Sequence, residues 1–152
     1  MSSLIRPYHH QDKEQVLNLL QLNTPKYFSH EERDDLIYYL EHELEYYYVI
    51  ELDNIVVGCA GINLADEGKT GKLSWDILHP DYQGRSLGSQ LVQHRLAKLK
   101  TIEGIEQIIV RTSQLVYPFY EKQGFKLISV VDDYWAEGFH LYLMRYEEDS
   151  IA

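Results

Sequence analysis

The chain has 152 residues, of which 45% are hydrophobic and 25% charged, a size and composition that fit one folded domain over residues 1–152 and exclude a disordered chain. Its formal net charge of -10, from 24 acidic and 14 basic residues, argues against a nucleic-acid partner, because a duplex-binding domain presents a basic face. No apolar run approaches the ~20 residues of a membrane span, Met1 to Tyr8 lacks a signal-peptide core, and the lone Cys59 has no disulfide partner, so a reducing cytoplasm without membrane association is expected.

In chain order, Leu4 to Arg6 reads as a short first strand. Asp12 with Gln15 resembles a helix start, followed by an apolar face of Val16, Leu17 and Leu20. Ser29 with Glu32 forms a second capping pattern, and the helix after it is expected to bury Leu36, Ile37, Leu40 and Leu44. The period then changes. Tyr46 to Leu52 and Ile55 to Leu64 are rich in β-formers, and Asp53-Asn54 between them suits a two-residue hairpin turn, since both tolerate positive φ. Ala65 to Gly71 reads as a loop. Lys72 to Leu78 is another strand, stopped at His79-Pro80 because proline interrupts a ladder.

Leu87, Leu91, Val92, Leu96 and Leu99 mark an amphipathic helix reaching about Lys100. Gln107 to Thr112 is a strand whose Ile108, Ile109 and Val110 read as buried on both faces. A short helix from Tyr117 to Gln123 carries Pro118 in its first turn and ends at Gly124. Lys126 to Val131 and Phe139 to Arg145 are the last strands, joined across Asp132 to Gly138. The order is mixed α and β: strand, two helices, three strands, helix, strand, helix, two strands.

The most informative stretch is His79-Pro80-Asp81-Tyr82-Gln83-Gly84-Arg85-Ser86-Leu87-Gly88, between a strand and an amphipathic helix. Consecutive amides there can point into one concavity, and the free amides of the helix's first turn add positive potential. Together they form a site for a phosphate or pyrophosphate, with Arg85 adding a charge that pairs with it. A purely structural turn would use the same glycines. The Walker pattern is absent because no Gly-Lys-Ser/Thr follows, and Gly84 and Gly88 do not give the three spaced glycines of the dinucleotide fingerprint.

Pro80 to Gly88 resembles the acyl-CoA signature of the GNAT family of N-acetyltransferases, which runs Gln/Arg, two residues, Gly, one residue, Gly/Ala. Gln83 opens it, Gly88 closes it, and Ser86 stands where the first signature glycine usually stands. Phe119-Tyr120-Glu121-Lys122-Gln123-Gly124-Phe125 resembles the family's closing motif, in which the tyrosine sits beside the CoA sulfur. The resemblance covers Leu4 to about Arg145. It implies an α/β fold with a central, twisted, mostly antiparallel sheet of about seven strands, flanking helices and a splayed central pair. It also implies acetyl-CoA as co-substrate, held by Ile77, Leu78, Gln83, Gly84, Arg85, Ser86, Leu87, Gly88 and Ser89. Ser113 stands where the family often has an asparagine that touches the cofactor, and Tyr120 completes the set.

Such enzymes attack the thioester directly with an amine. The amine must lose a proton, the carbonyl must be polarised, and the departing thiolate must be protonated or stabilised. A backbone N–H near Leu78 is the implied carbonyl partner. The Lys72 to Leu78 strand is expected to part from Gln107 to Ser113, leaving a gap for pantetheine. Tyr120 is the candidate acid, since a phenol with pKa ~10 stays protonated at neutral pH. Asp76 is the candidate base, because it shares a strand face with Leu78, with Glu51 and a water chain as rivals. Trp135 and Glu137 are weaker candidates for acceptor contacts.

The seven histidines show no metal-ligand spacing, so no metal is expected, and no serine sits in a nucleophile elbow. Two classes of function stay open: an enzyme acylating a small-molecule amine or a protein amino group, and a non-catalytic acyl-CoA-binding sensor. A homodimer is compatible with either.

Overall fold

The computed structural model describes residues 2–147. Met1 and residues 148–152, inside the expected domain of 1–152, lie outside the described residues. The elements are β1 (Ser3–Pro7), α1 (Lys13–Leu22), α2 (Glu32–His42), β2 (Tyr46–Leu52), β3 (Ile55–Ala65), β4 (Thr70–Leu78), α3 (Leu87–Leu99), β5 (Gln107–Thr112), α4 (Tyr117–Lys122), β6 (Phe125–Ala136) and β7 (Phe139–Tyr146). They build one seven-stranded sheet in the order β1-β2-β3-β4-β5-β7-β6. Every neighbouring pair is antiparallel except β4 and β5. This is the mixed, mostly antiparallel architecture expected from the sequence.

The helices cover the sheet from both sides. On one face Val16, Leu19 and Leu20 of α1 and Leu36, Tyr39 and Leu40 of α2 pack on Val49, Val56, Cys59 and Ile77. On the other, Val92, Leu96 and Leu99 of α3 pack with Tyr120 of α4 on Ile62, Leu73 and Val110. The hairpin between β2 and β3 turns at Asp53 (φ 52) and Asn54 (φ 66), the left-handed pair that a two-residue loop demands.

Several local expectations need correcting. Asp12 does precede α1, but its carboxylate makes no cap with the helix. It accepts instead from the His9 amide at 2.8 Å and from both terminal nitrogens of Arg6 at 2.9 Å, a bidentate ion pair stronger than a bond to a helix amide. The Ser29–Glu32 pattern forms by half: the Ser29 amide donates to the Glu32 carboxylate at 2.8 Å, while the buried Ser29 hydroxyl has no partner among the described residues. Leu44 lies beyond the end of α2 and is exposed, and Tyr39 takes the buried position. Only Val110 of the β5 run is fully buried, because β5 borders an opening in the sheet. The turn before β4 is tighter than expected, with the strand starting at Thr70. The last hairpin is longer: β6 continues to Ala136 and turns only at Glu137-Gly138.

Candidate active site

The parallel β4 and β5 pair only from Thr70↔Gln107 to Leu73↔Val110. Beyond that the strands part, and the edge of β4 from Ser74 to Leu78 faces an opening. A bulge in β4 lies just past the last of these pairs. Ile77 pairs with Cys59 and Ser74 with Gly61, so Trp75 and Asp76 together oppose Ala60, and Trp75 takes a φ of 48. The extra residue reverses the alternation. Trp75 joins the α1–α2 side, packed against that core, and Asp76 turns to the α3–α4 side.

There Asp76 meets a buried cation. Arg95 of α3 has no solvent exposure. Its two terminal nitrogens donate to the two Asp76 oxygens at 2.6 Å each, and it also donates to the Leu91 and Gly61 carbonyls at 3.1 Å. The Tyr120 hydroxyl donates to Asp76 Oδ2. Burial first, then the neighbouring Asp76 charge, hold the Tyr120 phenol well above its ordinary pKa, with Arg95 opposing. Tyr120 and Asp76, singled out separately in the sequence, are thus brought into contact. Arg95 was missed. Its signal was present: an arginine four residues after Leu91 falls on the apolar stripe of α3, where a buried charge needs a buried partner.

The loop before α3 has the geometry of an anion cradle. Gly84 has φ +80, with open space where a Cβ would stand. Ser86 is left-handed (φ 61, ψ 12) and directly precedes the helix. The amides from Ser86 to Ser89 find no acceptor in the fold among the described residues, which leaves them directed outward at the positive end of α3. Gly88 serves packing as well, since a Cβ there would meet the Phe119 ring at 3.2 Å. Of the expected cofactor residues, Gln83, Gly84, Ser86, Leu87, Gly88, Ser89, Ile77, Leu78, Ser113 and Tyr120 line one cleft of about 1170 Å³. Arg85 does not; its guanidinium lies 5.1 Å from the ring centre of Tyr82. The Ser113 hydroxyl accepts from the Leu115 amide at 3.2 Å, bracing the turn into α4.

Glu51 of β2, the rival base, is bonded to Arg6 of β1 and does not line the cleft. Trp135 does line it, with its indole N–H donating to the Thr112 carbonyl at 3.1 Å, whereas Glu137 does not.

The profile of the Acetyltransferase (GNAT) family matches residues 13–125. The amino-acid acetyltransferase of Pasteurella multocida is 32% identical over 93 residues, covering 61% of this chain and 21% of that protein; the chain spans about a fifth of the length of such curated relatives. Among solved structures, an aminoglycoside 6'-N-acetyltransferase complexed with coenzyme A superposes with a TM-score of 0.76 at 16% identity, covering 93% of this chain and 95% of that one. The ribosomal-protein-S18-alanine N-acetyltransferase from Escherichia coli superposes with a TM-score of 0.78 at 15% identity, covering 95% and 93%. At such identities the likeness is one of fold.

Proposed function

Because the chain belongs to the acetyltransferase (GNAT) family, we propose that it moves an acetyl group from acetyl-CoA to a primary amine by direct attack. The observation that carries this is the meeting of the Tyr120 hydroxyl and the Asp76 carboxylate in the gap where β4 and β5 part. The residues fit the co-substrate. Outward amides from Ser86 to Ser89 suit a pyrophosphate, and the unpaired edge of β4 suits the amides of pantetheine, as an added strand would. Bound acetyl-CoA supplies the activated carbonyl and a thiolate leaving group.

This chain's residues then manage two protons. The Tyr120 hydroxyl turns from Asp76 Oδ2 toward the sulfur and protonates it as the carbon–sulfur bond breaks. Asp76 Oδ2, freed of that bond, takes the proton released as the amine nitrogen bonds to the carbonyl carbon, and passes it back to Tyr120. The net transfer is one proton from the amine to the thiol. Arg95 stays on Asp76 throughout and fixes its orientation. A backbone N–H near Leu78 polarises the carbonyl.

Residues 1–152 form one such domain, working in a reducing cytoplasm, as the buried free Cys59 suits. A homodimer through β6 is supported by that edge strand, where Leu127, Ile128, Val130 and Val131 are 43–47% exposed. No helix among the described residues is long and apolar enough to cross a membrane, and the acidic surface disfavours nucleic acid. The test is thiol release from acetyl-CoA across a panel of amines. Amine-dependent release supports acyl transfer, and tight CoA binding without turnover on any amine would favour a sensor.

A further inference from the structure

Arg111 emerges from β5 one residue past the last β4–β5 pair, and the register fixes its direction. Gly71 and Leu73 of β4 and Ile108 and Val110 of β5 pack toward α3 and α4. Alternation therefore sends Lys72 and Arg111 to the opposite face, the one that α1 and α2 cover. Both line the cleft.

The Arg111 guanidinium is held without being neutralised. It lies 5.0 Å from the Tyr134 ring centre and 5.4 Å from that of Trp135, and it donates to the Tyr134 hydroxyl. Trp135 is anchored in turn on the Thr112 carbonyl. The chain's other buried or half-buried arginines pair with carboxylates: Arg6 with Asp12 and Glu51, Arg95 with Asp76. Among the described residues no carboxylate lies within the 4.0 Å ion-pair distance of Arg111 or of Lys72. In a chain of 24 acidic and 14 basic residues, two unanswered cations on one wall of the cleft form a receptor for an anion. The anion is not a cofactor phosphate, whose amide cradle lies at the head of α3, on the other face of the sheet.

We propose that the acceptor is an amine that carries an α-carboxylate, an α-amino acid and not a polyamine or aminoglycoside. Arg111, with Lys72 beside it, binds the carboxylate while the amino group reaches the Asp76–Tyr120 pair. This rests on the acyltransfer reading above. Four carboxylates also line the cleft, Glu32, Glu43, Glu45 and Asp76; none reaches Arg111 or Lys72, and Glu32 accepts from the Ser29 amide, Glu45 from the Asn63 side chain and the Leu64 amide, and Asp76 from Arg95 and Tyr120.

The experiment uses matched pairs: phenylalanine against phenethylamine, alanine against ethylamine, and glutamate against 4-aminobutyrate, which lacks the α-carboxylate and keeps only that of the side chain. Wild-type kcat/KM should favour the α-carboxylate member by tenfold or more. Arg111→Gln should remove most of that preference, chiefly through KM, while Arg111→Lys restores part of it and leaves CoA affinity unchanged. A role confined to bracing Tyr134 and Trp135 would lower all substrates alike and keep the ratio. Equal use of the decarboxylated amines by the wild type, or an unchanged ratio in Arg111→Gln, overturns the proposal. Turnover of a polyamine or aminoglycoside but of no pair member overturns the proposal alone, and CoA binding without turnover of any of these amines overturns the acyltransfer reading itself.

Discussion

Ser86 holds a left-handed backbone where α3 begins, at φ 61 and ψ 12. That region costs an L-residue about 1–2 kcal/mol, and a β-branched side chain more. The family signature places glycine here, so the serine bears a strain that the loop requires. Ser86→Gly should keep CoA affinity and hold or raise the melting temperature, because lost strain offsets the added freedom of the unfolded chain. Ser86→Val should lower the melting temperature by a few degrees and weaken CoA, since the amides of the cradle follow this torsion. Thermal melts and calorimetry on the two variants check both outcomes. A Val variant as stable as the wild type would mean that the loop does not need this conformation.

At the scale of elements, one ion pair ties α3 to β4. Arg95 has no exposure and the Asp76 side chain is 23% exposed, so removing the two partners is not equivalent. Asp76→Asn leaves a guanidinium buried without a counter-charge and should destabilise by about 3–5 kcal/mol. Arg95→Met leaves a carboxylate that water can still reach and should cost less. Combining them should cost less than the sum of the two, a coupling that a double-mutant cycle in denaturant measures. Additive losses would mean that the pair is not a unit.

Much of the element plan was legible. The bounds of β2 and β5 are those read from β-former runs, and the Asp53-Asn54 turn has the positive φ values that its residues allow. The bulge at Trp75-Asp76 was not legible. No glycine marks it, and only the pairing with Ala60 creates it. Asp76 and Tyr120 were each named, but their contact needed that bulge and the Arg95 anchor. Ile108 and Ile109 were misread because an apolar run cannot reveal that its sheet opens on one side. The site's loop was the easier part, since glycine spacing is local, whereas Arg111 beside Trp135 depends on how far β6 extends before turning.

At the scale of the whole molecule, an acidic chain with net charge -10 holds one charge cluster where β1, β2 and the start of α1 meet. Arg6 binds both Asp12 and Glu51 there. Hydrogen bonds from Arg6 hold the Asp12 carboxyl below its ordinary range, against the opposing effect of burial. A depressed folded-state pKa contributes stability that is fully present above the unfolded value of ~3.9 and is lost as pH falls through the lower folded value. Denaturant midpoints should therefore drop below about pH 4, and Arg6→Ala should flatten that acid limb while lowering stability at neutral pH. An acid limb unchanged in Arg6→Ala would assign acid sensitivity to other carboxylates.

The account as a whole turns on a hydroxyl that leaves Asp76 to protonate a departing thiolate. Tyr120→Phe keeps the ring packed between Phe119 and Phe125 and removes only the O–H. The measurement is kcat, kcat/KM and CoA affinity on this one variant, with an accepted amine. The account predicts that kcat and kcat/KM fall together by ~10²-fold, the lower end for positioned acid catalysis, with CoA affinity nearly intact. An unchanged kcat accompanied by a lower melting temperature would contradict it, and would reduce Tyr120 to a core residue that happens to face the cleft.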